Sequence, residues 1–241
     1  ARLEKAYEDV PGQWWGIRML PKSRNNEIRY ASIKNGVVGV EVDSLQTGGG
    51  TKLKIENSII KNMSGGGLIG YTATISAVNL LAANCGQYTF LGELGGDYSL
   101  SYCTFANFNT TFSRQKPSFG LANSDYKDGQ GNVYANDLRY DIRNSIIWGS
   151  LKEELVFSEE GTGSVTKSIS GSILKTELSS WDINSNLLNR DPRFKNFREL
   201  NFELDTLSPA KDAALPPPVL IDLKGELRDA SPDIGCYERK E

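Results

Sequence analysis

Along residues 53–62, LKIENSIIKN, the positions Leu53, Ile55, Asn57 and Ile59 fall every second residue. That alternation is the mark of a strand with one buried face. An asparagine stands among the apolar positions, however, and the run stops at Asn62, just before Gly65–Gly67. The same ten-residue pattern returns without gaps as ISAVNLLAAN (75–84), YSLSYCTFAN (98–107), YDIRNSIIWG (140–149) and KSISGSILKT (167–176), with a shorter copy, IRYASIKN, at 28–35. Full windows begin 22, 23, 42 and 27 residues apart. The chain is a repeat of about 22 residues with one large insertion.

Three columns carry the physical meaning. The third position holds Ile28, Ile55, Ala77, Leu100, Ile142 and Ile169, and the eighth holds Ile33, Ile60, Ala82, Phe105, Ile147 and Leu174. Both read as core columns. The last position holds Asn35, Asn62, Asn84, Asn107, Gly149 and Thr176, a column expected to turn through the left-handed region that Asn and Gly tolerate. Asn57, Asn79 and Asn144 share the fifth position with Tyr30 and Tyr102, which suggests a ladder of stacked amides. Helical repeats are poorly served by β-branched, Ser- and Asn-rich windows. The pattern predicts an all-β fold, a right-handed parallel β-helix (a single-stranded solenoid), whose six windows stack over roughly 24–29 Å.

Residues 1–176 are read as the coils, with a loop insertion at about 108–139 that leaves the stack and carries a short hairpin. A second loop, 150–164, is acidic at Glu153, Glu154, Glu159 and Glu160 and reads as a solvated face. Residues 177–241, Pro-rich and aperiodic, are read as an irregular C-terminal cap of the same domain, because an uncovered last coil would invite edge pairing.

Composition narrows the chemistry. The 241 residues carry a net charge of −3, which argues against nucleic-acid binding by phosphate neutralisation, and no apolar run is long enough for a membrane span. Histidine is absent, which removes the commonest general base and metal ligand. Cys85, Cys103 and Cys236 are scattered and make no CxxC pair, so they read as isolated buried thiols.

Three segments give the chain a resemblance to a family. DVPGQWWGI (9–17) with IRYASIKNGVVGVEV (28–42), SPAKDAA (208–214), and DLKGELRDASPDIGCYE (222–238) resemble bacterial cell-surface proteins with right-handed parallel β-helix repeats, of the pectate-lyase-like superfamily. Ala214 and Cys236 stand where the family usually has Gly and Ala. The resemblance implies an exported protein, extracytoplasmic, at the cell surface or secreted. It also implies further coils, a cap and an export signal upstream, so that this chain reads as N-terminally trimmed.

The same superfamily includes enzymes. Its glycosidases use His-containing and Arg-Ile-Lys motifs, both missing here. Its lyases pair Ca²⁺-binding acids with an Arg or Lys base. Candidates for that set are Arg114, Lys116, Asp125, Asp128 and Asp137, and the oxygen-rich stretch NSDYKDGQGN offers Asn123, Asp125 and Asp128 as calcium ligands. No other cofactor is expected. For sugar stacking the candidates are Trp15, beside Trp14, with Trp148, Tyr126 and Tyr134. By analogy with that fold, and with no catalytic set in the sequence, the expectation is a non-catalytic exported or cell-surface module for glycan binding, adhesion or a structural role, its partner a polysaccharide or cell-surface glycan, with a Ca²⁺-dependent polysaccharide lyase, or a degenerate descendant of one, as the alternative. A third reading places the active site in coils upstream of this chain.

Overall fold

A computed structural model describes residues 7–43, 50–108, 113–216 and 219–240. Its strands come in six turns of one coil. The first holds β1 (Ile17–Met19), β2 (Asn26–Arg29) and β3 (Ser32–Lys34); the second β4 (Val40–Asp43) and β5 (Leu53–Lys61); the third is β6 (Leu68–Ala83) alone. The fourth holds β7 (Phe90–Ser101) and β8 (Thr104–Asn107). In the fifth are β9 (Phe119–Ala122), the hairpin β10 (Tyr126–Lys127) and β11 (Val133–Tyr134), then β12 (Leu138–Arg143) and β13 (Ile146–Gly149). The sixth has β14 (Leu155–Ser158), β15 (Val165–Ser170) and β16 (Ile173–Leu174).

Every coil-to-coil pairing is parallel, and the pairs form three faces. Sheet 1 runs β1, β4, the start of β6, the start of β7, β9, β14; sheet 2 runs from β2 to β15; sheet 3 runs from β3 to β16. This is a parallel β-helix.

The registers are those the sequence columns require. Ile28, Ile55, Ala77, Leu100, Ile142 and Ile169 are successive Cα partners on sheet 2. Ile33, Ile60, Ala82, Phe105, Ile147 and Leu174 are successive partners on sheet 3. All but Ile28 are buried. A third core column, hidden from the ten-residue windows, lies on sheet 1: Val40, Leu68, Phe90, Phe119 and Leu155. Its Phe90 and Phe119 rings stack at 4.9 Å.

The bend between sheets 2 and 3 explains the asparagine inside the strand. Tyr30, Asn57, Asn79, Tyr102, Asn144 and Gly171 all have positive φ, between 47° and 56°, the conformation in which a non-glycine residue is costly and Asn least so. This fifth-position column is therefore the more regular turn. The last-position column turns through positive φ at Asn35, Asn62 and Asn84 only; Asn107 and Gly149 continue as strand. Amides ladder along both: Asn79 Nδ2 donates to Asn57 Oδ1 at 2.9 Å, and Asn62 Nδ2 to Asn35 Oδ1 at 2.7 Å.

Inside the bend, a serine hydroxyl takes the backbone N–H of the coil before it at three places. Ala31 N donates to Ser58 Oγ, Cys103 N to Ser145 Oγ, and Ser145 N to Ser172 Oγ, each at 3.1 Å. Ser172 N is met by Asn186 Oδ1. The bend thus buries no unpaired N–H at these positions.

Two expectations change. The 108–139 insertion is not one loop leaving the stack, since β9 is a full rung of sheet 1, paired with β7 and β14. Among the described residues of this segment, the β10–β11 hairpin is the part that pairs outside the coil. Residues 150–164 likewise include β14.

The C-terminal segment does more than cover the last coil. Trp181, in a 3₁₀ turn at Ser179–Trp181, packs on Phe157, and β17 (Leu187–Leu188) adds a last rung below β16. The chain then forms the hairpin β18 (Phe194–Asn196) and β19 (Asn201–Leu204) and runs back along the outside of sheet 3. Asn144 exchanges two 2.8 Å bonds with Leu215, and Asn79 Nδ2 reaches Ile221 O. Arg228 lies over the Tyr102 ring at 4.2 Å and donates to Asn79 Oδ1 and Glu238. Gly235 has φ of 99°, and a Cβ there would meet Ile146 at 2.8 Å and Thr104 at 2.9 Å. Sheet 3 is consequently buried on both sides, with Leu81, Ala83, Ala106, Ile146 and Ile173 under Phe202, Leu204, Ala210, Ile234 and Cys236. Cys85, Cys103 and Cys236 are free and buried, and burial pushes each thiol up to about 12.

Candidate functional site

Where sheet 3 ends, the strap leaves a gap. Successive coils bring Asn84, Phe108, Trp148 with Gly149 and Ser150, and Lys175 to the same corner, because equivalent positions stack in register. The C-terminal segment contributes Asp191, Phe197 and Arg198 from across the gap. The result is a half-open groove of about 750 Å³.

Its rings are already partnered with cations. Lys175 Nζ sits 5.0 Å from the Trp148 ring centre while donating to Gly149 O at 2.5 Å. Phe108 and Phe197 stack at 4.1 Å, and the Arg198 guanidinium lies 6.0 Å from Phe197. Trp148 is 7% exposed and Arg198 is exposed. The ammonium and guanidinium beside these rings are N–H donors that suit sugar hydroxyls, and the half-buried edges of Phe108 and Phe197 suit the apolar patches of a sugar. Among the described residues of the lining, Asp191 is the one carboxylate.

The other candidates lie elsewhere. Arg114 is buried, forms an ion pair with Glu154 at 2.6 Å, and spends further donors on Lys116 O, Asn107 O and Ser150 Oγ. Lys116 is exposed beside it. Asp125, Asp128 and Asp137 sit beyond β9, at the opposite corner of sheet 1, so the strand separates them from Arg114 and Lys116. Each acid has local donors. Asp125 takes Thr162 N and Oγ1; Asp137 takes Ser164 N. Asp128 accepts from Asn132, Gln130 and Tyr134, and these bonds, Asn132 first, hold its carboxyl below the usual range. Asn123 is fully buried, its Nδ2 on Gly163 O. Among the described residues, no three His, Cys, Asp or Glu side chains converge as a metal site requires.

Tyr126 and Tyr134 do meet, 6.0 Å apart across the hairpin. Trp15, 59% exposed, and Trp14 belong to the first coil, far from both aromatic sites along the stack. The acidic run divides: Glu154 is 0% exposed, against the expectation of a solvated face, because it neutralises Arg114. Glu153 accepts from Thr176 Oγ1, and Glu159 pairs with Lys167 at 2.8 Å.

No family model matches the chain, and no curated protein does. Its backbone superposes on the crystal structure of pectate lyase Pel9A with a TM-score of 0.47 and 12% identity, over 93% of this chain and 64% of that one. The chain thus spans less than two thirds of that structure. The likeness is one of fold. Among the described residues, no helix is long and apolar enough to cross a membrane.

Proposed function

We propose that this chain is a non-catalytic glycan-binding module of an exported or cell-surface protein, seating a saccharide in the groove between sheet 3 and the C-terminal strap. The observation that carries the reading is the convergence of Trp148, Phe108 and Phe197 with Lys175 and Arg198 around one concave space. A sugar packed against such a wall gains apolar contact with the ring edges and charge-assisted hydrogen bonds together. Extracytoplasmic location follows from the same reading, since the ligand is a surface or matrix polysaccharide.

The test is an array of neutral and acidic polysaccharides, scored both for retention and, with Ca²⁺ present, for unsaturated product. Retention without product, weakened about tenfold by Arg198→Ala, supports the module. Ca²⁺-dependent unsaturated product supports the lyase alternative instead.

A further inference from the structure

The groove opens sideways to solvent, but along the coil axis it is bounded. Its lining follows the corner after sheet 3: Asn84 from the third coil, Phe108 from the fourth, Trp148 and Ser150 from the fifth, Lys175 from the sixth. A polymer threading the groove would have to continue along that corner in both directions. Among the described residues, protein occupies the corner above and below.

Above, two layers stand in the way. The Phe108 and Phe197 rings stack at 4.1 Å, joining the fourth coil to the strap across the groove. Beyond them, residues 8–12 take the same corner: Asn62 Nδ2 donates to Asp9 O at 2.8 Å, and Asn35 Nδ2 to Glu8 O at 2.7 Å. A Cβ on Gly12 would stand 3.1 Å from Ser64 Oγ, so this segment lies directly on the second coil.

Below, the chain leaves β17 and turns across the corner. Leu188 pairs with Leu174, which sets Asn189 one rung beneath Lys175. Thr176 N donates to Asn189 Oδ1 at 3.2 Å, and Asn189 Nδ2 to Thr176 O at 2.8 Å. Asp191 follows on the groove wall, its Oδ1 accepting Arg193 N at 2.8 Å, and Ser208 Oγ fixes Pro192 O at 2.6 Å. From Phe108 to Lys175 is two rung spacings, about 10 Å, room for about two hexose rings in line. The volume of about 750 Å³ is likewise that of a site enclosing a small ligand.

Lys175 and Asp191 line the groove together as donor and acceptor. An interior sugar meets its neighbour through a glycosidic oxygen, which has no proton to give. The last sugar of a chain has a hydroxyl there, which donates to a carboxylate and accepts from an ammonium. A site built around such a hydroxyl discriminates against a ligand that lacks it. Resting on the groove as the saccharide site, we infer that it takes the end of a glycan chain and not an interior stretch, with the terminal hydroxyl held between Asp191 and Lys175.

Titration calorimetry with β-glucan, xylan, mannan and galacturonan tests this, each as intact polymer, as polymer cut to a known number of chains, and as oligosaccharides of one to six residues. For the glycan that binds, sites per gram rise in proportion to chain ends, and affinity levels off by about three residues. Asp191→Ala, a change at an exposed position, weakens end binding about tenfold, with circular dichroism checking that the coil persists. Sites that follow polymer mass, or affinity still rising at six residues, overturn the inference; weakening by Arg198→Ala in that case keeps the groove as the site. End binding indifferent to Asp191→Ala also overturns it. End binding indifferent to both variants, or no binding to any of the four glycans, overturns the inference together with the groove.

Discussion

Arg114 and Glu154 face each other at 2.6 Å with 2% and 0% of their side chains exposed. The carboxylate also accepts the Ser118 and Leu151 N–H groups, while Gly149 leaves room for it: a Cβ there would stand 2.2 Å from Glu154 Oε1. The pair binds the corner after β8 to the corner after β13, so its role is to fix two turns of the coil.

Removing both partners should cost less than the sum of removing each alone. Arg114→Met leaves a buried carboxylate with backbone donors alone, an expected loss of about 3–5 kcal/mol. Arg114→Met with Glu154→Leu should lose clearly less than the two single losses summed. Urea denaturation of the four proteins measures this; additive losses would contradict a coupled buried pair.

Ser145 serves the bend in the same structural sense. Its Oγ accepts Cys103 N and donates to Arg143 O. Ser145→Ala leaves that buried N–H unpaired, at an expected cost of about 1–3 kcal/mol. Ser145→Cys should retain part of the stability, because Cys103 Sγ itself takes the corresponding place one coil earlier, donating to Ser101 O at 3.4 Å as Ser145 Oγ donates to Arg143 O. Thermal unfolding of the three proteins distinguishes these outcomes.

Asp233 gives the strap a pH dependence. Burial lifts its carboxyl from 3.8 to about 6, while the Asp212 and Arg239 N–H groups pull it down. The folded state therefore holds the proton more tightly than the unfolded chain. The contribution of this group is fully present below about pH 4 and is lost as pH rises through about 6. The unfolding free energy of the native protein minus that of Asp233→Asn should fall by roughly 2–3 kcal/mol between those limits. A difference that stays flat would contradict the assignment.

The part of the fold written most plainly in the sequence was the part with a one-to-one register. Ile55 and Ile60 announce two core columns because every coil repeats them at fixed distance. The sheet 1 column was harder to see: its strands stand at uneven distances in sequence from the ten-residue windows, and the four residues Phe119–Ala122 are too few to show alternation. Tyr30 and Tyr102 interrupted the turn column, where Tyr102 is retained beneath the Arg228 guanidinium. Paired apolar residues such as Ile59–Ile60 and Ile146–Ile147 are what a strand covered on both faces carries, but the column reading used only Ile60 and Ile147 and so missed the cover. The groove was legible only at Trp148. Phe108, Lys175, Phe197 and Arg198 reach it from different coils and from the returning strap, and no local spacing joins them. Arg114, by contrast, had the composition of a catalytic base and the surroundings of a structural one.

The most direct test of the account is a titration of the protein with the glycan that an array selects, following tryptophan fluorescence. Native protein should bind saturably without releasing unsaturated product. Phe197→Ala and Arg198→Ala, which alter the groove wall and leave sheet 3 intact, should each weaken binding about tenfold. Equal affinity in the native protein and both variants would place the ligand elsewhere on the coil and contradict the groove as the binding site.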